Sequence, residues 1–203
     1  MSDIAPLRRF VQEMTRLADR AGGDEAALRG DGAALLSRLV ADDTWLPDAF
    51  AAPHPERYSQ YLLYCDPMER FSVVSFVWGP GQSTPVHDHT VWGLIGMLRG
   101  AEDAMNFAAG EAGAPLVKTG EERLTPGKVG AVSPAIGDIH AVANALADRP
   151  SISIHVYGAN IGAVARHVFD PATGIAKGFV SGYSADAVPN LWDRSAEVRA
   201  ALR

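Results

Sequence analysis

From Arg57 onward the chain is cut into short β-like runs by glycine and proline, and this punctuation constrains the fold more than any other feature. The runs are residues 71–78, 91–98, 104–108, 129–132, 152–157 and 164–169. Between them fall Gly79-Pro80-Gly81, the segment 110–115, Pro126-Gly127 and the segment 134–137. Many short strands at this spacing predict an antiparallel sandwich or barrel rather than a parallel α/β sheet. The first 45 or so residues read differently. Leu7, Phe10, Val11, Met14, Leu17, Ala18 and Ala21 recur at three- and four-residue spacing, with Pro6 where a first-turn proline is tolerated. Gly22-Gly23 ends that helix, and Asp24 reads as the N-cap of a second. The pair Gly30 and Gly32 is expected to divide this second helix. The fold expected is mainly β: a helical cap over residues 1–56 and a small β-barrel with a C-terminal tail over 57–203, as one integrated domain.

Composition narrows the function classes. Eighteen Lys and Arg against 24 Asp and Glu leave a net charge of −6 over 203 residues, with no basic stripe to neutralise phosphates. Nucleic acid is therefore a poor partner. No apolar stretch reaches the about 18 residues that a membrane span needs. Residues 1–20 interleave arginines with apolar residues and do not read as a secretory signal. The single cysteine, Cys65, excludes an intrachain disulfide framework and a Cys-rich metal site. A soluble protein of the reducing cytoplasm is expected.

Chemistry is concentrated in the histidines. His87 and His89 form a His-x-His step after Gly81, and on a strand two residues apart point to the same face. His140 follows in Gly137-x2-His140-x3-Asn144. Together they would make a facial site of three nitrogens with open coordination positions, which suits chemistry better than structure. His54, between Pro53 and Pro55, reads as a loop residue. A second constellation lies in Ser153-Ile154-His155-Val156-Tyr157, where the period of two puts Ser153, His155 and Tyr157 on one face. That face either lines the barrel as a hydrogen-bonded relay or meets water on an edge strand.

The two histidine motifs, in this order and with glycines at the turns, resemble those of the cupin superfamily. That resemblance implies a double-stranded β-helix, the jelly-roll barrel, holding a metal. Many cupins carry a glutamate ligand where this chain has Gly93, so three neutral imidazoles would leave a divalent metal its full charge. The segment 84–100, TPVHDHTVWGLIGMLRG, together with Ser153, His155 and Tyr157, resembles the cysteine dioxygenase type I family of thiol dioxygenases. It is most like the bacterial branch that acts on 3-mercaptopropionate. The resemblance runs from about Arg57 to Asp170 and implies one Fe(II) per chain on His87, His89 and His140. It also implies a small thiol and O2 as substrates and a sulfinic acid as product. The cysteine-specific members carry an arginine where this chain has Gln60, and a tyrosine-crosslinked cysteine where it has Gly93. In the mercaptopropionate branch an arginine followed by histidine takes the carboxylate, and Arg166-His167 fits that pattern.

The resemblance thus assigns Ser153, His155 and Tyr157 to catalysis, and Arg166 and Gln60 to substrate binding. Trp92 either packs near the metal or belongs to the core. L-Cysteine, cysteamine or mercaptosuccinate are alternative substrates, the last needing a second pocket arginine from among Arg57, Arg70 and Arg99. A non-catalytic cupin that binds a metal or a small acid is the alternative from another class. A cupin isomerase or another dioxygenase using Ni, Mn or Zn also fits three histidines.

Overall fold

A computed structural model of the chain describes residues 3–110 and 113–201. Two helices, α1 (Ala5–Ala21) and α2 (Glu25–Val40), come first. Strands β1 (Ser59–Cys65), β2 (Ser72–Trp78), β3 (Val86–His87), β4 (Gly93–Arg99), β5 (Glu102–Ala108) and β6 (Val117–Leu124) follow. Then come β7 (Val129–Val132), β8 (Ile139–Asn144), β9 (Ser151–Tyr157), β10 (Arg166–Phe169) and β11 (Ala176–Phe179), with a short helix α3 (Ser195–Ala201) near the end. The strands form two antiparallel sheets, in the orders β1-β2-β9-β4-β7 and β11-β10-β3-β8-β5-β6. From β2 to β10 consecutive strands alternate between the sheets except at the β5–β6 hairpin, as in the jelly-roll barrel expected from the sequence. Among the described residues no helix is long and apolar enough to cross a membrane.

The helices explain why the five-stranded sheet can be apolar behind and polar in front. Leu7, Phe10, Met14, Leu36 and Val40 share one buried cluster with Val73, Leu94, Leu98, Ile152, Ile154 and Val156. Alternate residues of β9 therefore point away from the barrel into the helical layer, leaving Ser153, His155 and Tyr157 to face the interior. All seven residues of β9 are buried, and the strand lies between β2 and β4. The edge-strand reading of its polar face is thereby overturned. Asp24 caps α2 as expected, its carboxylate accepting from the Ala27 amide at 3.1 Å.

Two expectations fail for packing reasons. Gly30 and Gly32 do not divide α2, which is continuous. Instead a Cβ at Gly32 would lie 3.0 Å from Leu94 Cδ1, so the glycine lets the helix lie close against β4. Gly96 answers from the sheet: a Cβ there would meet Leu36 Cγ at 2.8 Å. Second, the His-x-His step is not a continuous strand, because β3 ends at His87. Thr90 then takes a left-handed φ of 59° that swings the chain out of the sheet.

Candidate metal centre and active site

Despite the short strand, His87, His89 and His140 converge. Their rings stand 4.9 Å apart pairwise, and one ligand nitrogen from each lies within 4.8 Å of the others. His87 and His140 are direct partners across β3 and β8, which fixes two of the three rings by sheet register. The third is fixed by Asp138, a residue that the sequence reading passed over. Its Oδ2 accepts the backbone amides of His89 (2.9 Å) and Thr90 (2.8 Å), and its Oδ1 pairs with His89 Nδ1 at 2.9 Å. The carboxylate thus rebuilds the ordering that the strand stops supplying. Its only sequence signal is an acidic residue directly after Gly137 in the second histidine motif.

Burial pushes the pKa of all three histidines down: His87 to about 4, His89 and His140 well below the usual value. At neutral pH they are uncharged, so the His89–Asp138 contact is a hydrogen bond from Nδ1–H rather than an ion pair. His87 Nδ1 is likewise 3.1 Å from the Pro85 carbonyl, to which it donates. With their Nδ1 protons so engaged, both rings turn the Nε2 lone pair free for a ligand role. Three neutral imidazoles suit a borderline divalent metal such as Fe(II), Zn(II) or Ni(II), so the donor set fits the metal that the sequence implies.

Facing the histidines across the barrel is the β9 relay. Ser153 Oγ is 2.8 Å from His155 Nε2, and His155 Nδ1 is 2.7 Å from Tyr157 Oη. Burial holds His155 down to about 3 and therefore neutral, and the same burial raises the Tyr157 phenol well above its ordinary value. The Tyr157 ring stacks on His89 with centroids 5.2 Å apart. A Cβ at Gly93 would lie 2.8 Å from Tyr157 Cδ1, so only a glycine leaves the ring room there.

The three clustered histidines, His155 and Tyr157 line one cavity of about 240 Å³ whose walls also include Gln60, Trp78, Arg166 and Phe179. A larger groove of about 630 Å³ runs elsewhere, along Asp103, Glu121 and Arg123, and holds no histidine; chemistry rather than size selects the smaller one. Arg166 is buried, stacks on Phe179 at 4.8 Å and donates from Nη2 to Ser181 Oγ at 2.6 Å. Its Nε is buried without a partner. Gln60 lines the cavity and donates its amide hydrogens to Ser181 Oγ (3.0 Å) and the Gly182 carbonyl (2.5 Å). The tail after β11 thus ties both residues together, a connection that the sequence reading did not resolve.

Other expectations resolve by position. Trp92 belongs to the apolar cluster under the helices and does not line the cavity. Arg57 is exposed, Arg70 pairs with Asp66 and Asp19, and Arg99 pairs with Asp43. Among the described residues Arg166 is the one arginine in the cavity wall. His54 sits in a loop and accepts the Glu56 amide. His167 faces away from the cavity and pairs with Asp88.

The chain has relatives among known proteins. Cysteine dioxygenase type 1 from Homo sapiens and from Pongo abelii are each 29% identical over 107 residues, 52% of this chain and 52% of theirs. The chain spans about half the length of these curated relatives. Among solved structures, a cupin superfamily protein from Desulfitobacterium hafniense is 16% identical, covering 54% of this chain and 84% of its own, with a TM-score of 0.40. The model of the cysteine dioxygenase type I family matches residues 30–170, a span that takes in both histidine motifs and the whole of β9. The chain belongs to the cysteine dioxygenase type I family.

Proposed function

We propose that the protein is an Fe(II)- and O2-dependent thiol dioxygenase that converts 3-mercaptopropionate into its sulfinic acid. The observation that carries this reading is one cavity walled by three neutral imidazoles, by His155 and Tyr157 of the relay, and by a buried arginine with an unpartnered Nε. His87, His89 and His140 would hold the iron. The chemistry expected of bound Fe(II) is O2 activation beside a coordinated thiolate, with both oxygen atoms ending on sulfur.

The protein's own residues place the substrate. Arg166 offers a guanidinium edge for one carboxylate, with Phe179 and Ser181 holding its plane. A single cavity arginine suits a monocarboxylate better than mercaptosuccinate. No carboxylate lines the cavity among the described residues, so the ammonium of cysteine would lack a charged partner. Gln60 closes the wall as an uncharged residue whose amide hydrogens are held by Ser181 and Gly182. Tyr157 stands beside the histidines with a phenol kept protonated by burial, able to donate one hydrogen bond into the cavity. Holding thiol and O2 side by side supplies proximity.

The test is oxygen uptake by anaerobically Fe(II)-reconstituted protein given 3-mercaptopropionate, with sulfinate measured in the same sample. Uptake and sulfinate in a one-to-one ratio are expected, at rates above those with L-cysteine, cysteamine and mercaptosuccinate. A faster rate with any of those three would reassign the substrate. Tight thiol binding with no uptake from any of them would instead make the protein a binding module.

A further inference from the structure

Glu102 is a buried carboxyl that none of the chemistry above uses. It opens β5 after Gly100, whose φ of 76° turns the chain, and is 1% exposed. Two hydroxyls of β9, Ser151 and Ser153, act on it. Ser151 donates to Oε1 at 3.2 Å, whereas Oε2 is buried with no hydrogen-bond partner. Along the sheet its register partners are Leu124 on β6 and Asn144 on β8. Leu124 is apolar, and the Asn144 side chain is already engaged with the carbonyls of Trp78 and Arg149 and the amide of Leu146. Among the described residues no charged group acts on the carboxyl, and the relay phenol of Tyr157 feels its charge. An unpaired carboxylate in such surroundings is costly, which is a reason for a buried acid to keep its proton.

We propose that Glu102 is the terminal member of the relay, a buried proton store that sets the direction of the Ser153–His155–Tyr157 hydrogen bonds and so decides whether Tyr157 presents a hydrogen or a lone pair to the cavity. This rests on the relay role proposed above for β9. With the carboxyl protonated, Oε2, which has no partner in the structure, turns its hydrogen to Ser153 Oγ, Ser153 donates to His155 Nε2, and His155 Nδ1–H donates to Tyr157 Oη. The phenol hydrogen is then free to point into the cavity. With Glu102 ionised every bond reverses: Ser153 donates to Glu102, His155 Nε2–H donates to Ser153, and Tyr157 donates to His155 Nδ1. The two states differ by one proton. If Tyr157 gives up its hydrogen to the cavity, three shifts along the chain replace it, and the negative charge is left on Glu102. Burial raises the Glu102 carboxyl to about 8, so both states are within reach of ordinary conditions. Glu102 is a positioning residue in this scheme, since it reaches the cavity only through the other three.

The test reads the tautomer of His155 by nitrogen-15 NMR in protein loaded with Zn(II), a diamagnetic probe that needs no turnover. The wild type should pass from Nδ1–H to Nε2–H as pH rises through about 8. Glu102→Gln, which carries a donor and cannot ionise, should hold one tautomer across the range. A wild-type His155 that keeps one tautomer throughout, or a Gln variant that switches as the wild type does, overturns the proposal. Should the Gln variant not fold, Ser153→Ala breaks the chain while keeping the carboxyl, and a persisting switch in that variant is equally fatal. In Fe(II)-loaded protein, turnover should change at least ~10-fold across the same pH window and stay flat in Glu102→Gln. If the protein oxidises no thiol, the NMR result still decides the relay, so the two readings fail separately.

Discussion

The central strands of the five-stranded sheet are buried on both faces, whereas the six-stranded sheet keeps one face toward solvent. Strands β2 and β9 are buried at every position, with the helices behind them and the cavity in front. Strand β6, at the far edge of the other sheet, is exposed along most of its length. The chemistry divides the same way. The three clustered histidines and Arg166 belong to the six-stranded sheet or its margin, and the relay belongs to the five-stranded one. A fully enclosed strand can carry polar residues only if they satisfy one another, and Ser153, His155 and Tyr157 do so in a chain. The half-open sheet can instead support its histidines from its own loops, as Asp138 and Pro85 do.

The largest effect expected separates these two roles. His140→Ala should remove one of three metal donors, so that iron content and turnover are lost together. Tyr157→Phe should keep the iron and lower turnover by roughly 10²–10⁴-fold, the usual range for a lost acid–base group. Metal analysis beside kcat measurements distinguishes the outcomes. Iron loss in Tyr157→Phe would show that the enclosed sheet holds the metal as well, and the division of labour would be wrong.

The next effect concerns burial itself. Leu36 is fully buried where α2 meets Gly96 of β4, so Leu36→Ala should cost about 2–5 kcal/mol. Met105, on β5 of the other sheet, is 42% exposed, and its replacement by alanine should stay within about 0.5 kcal/mol. Urea midpoints at unchanged m-values report both. Equal costs would mean that the helical layer contributes no more than an open sheet face does.

The same contrast explains what could be read from the sequence. The polar triad of β9 was legible because strict alternation fixes which residues share a face. Its inward direction was not, since that depends on a helical layer some 100 residues earlier in the chain covering the other face. Strands β6 and β11 escaped notice because exposed edge strands carry little apolar pattern: β6 reads VKTGEERL and β11 reads AKGF. The histidines were found by spacing, although a strand accounts for only one half of the His-x-His step. Asp138 and Glu102 share a different reason. A lone acid in a sequence is ordinarily a solvated residue, and only the folded neighbourhood reveals that one orders a loop and the other is enclosed. Gly32 was misread because a glycine that breaks a free helix also lets a packed one approach a sheet.

The smallest effect tests the margin between the sheets, where the tail meets the cavity. Ser181 lies beyond the residues shared with the family model, is exposed, and still accepts hydrogen bonds from both Arg166 and Gln60. Arg166→Ala should raise KM strongly with a smaller change in kcat, since it would remove a carboxylate partner used alike in ground and transition states. Ser181→Ala should do the same on a reduced scale. Arg166 would keep its stacking on Phe179, and Gln60 would keep the Gly182 carbonyl. The guanidinium bond is charge-assisted, but Ser181 is exposed and water can replace its hydroxyl, so the loss should cost about 0.5–1.5 kcal/mol, or a roughly 2- to 10-fold rise in KM for 3-mercaptopropionate. The effect should vanish for cysteamine, which has no carboxylate to misplace. An equal rise for both thiols would mean that the tail shapes the whole cavity rather than the guanidinium alone. No rise for either would detach the tail from substrate binding, leaving Phe179 and the strand register to hold Arg166 in place.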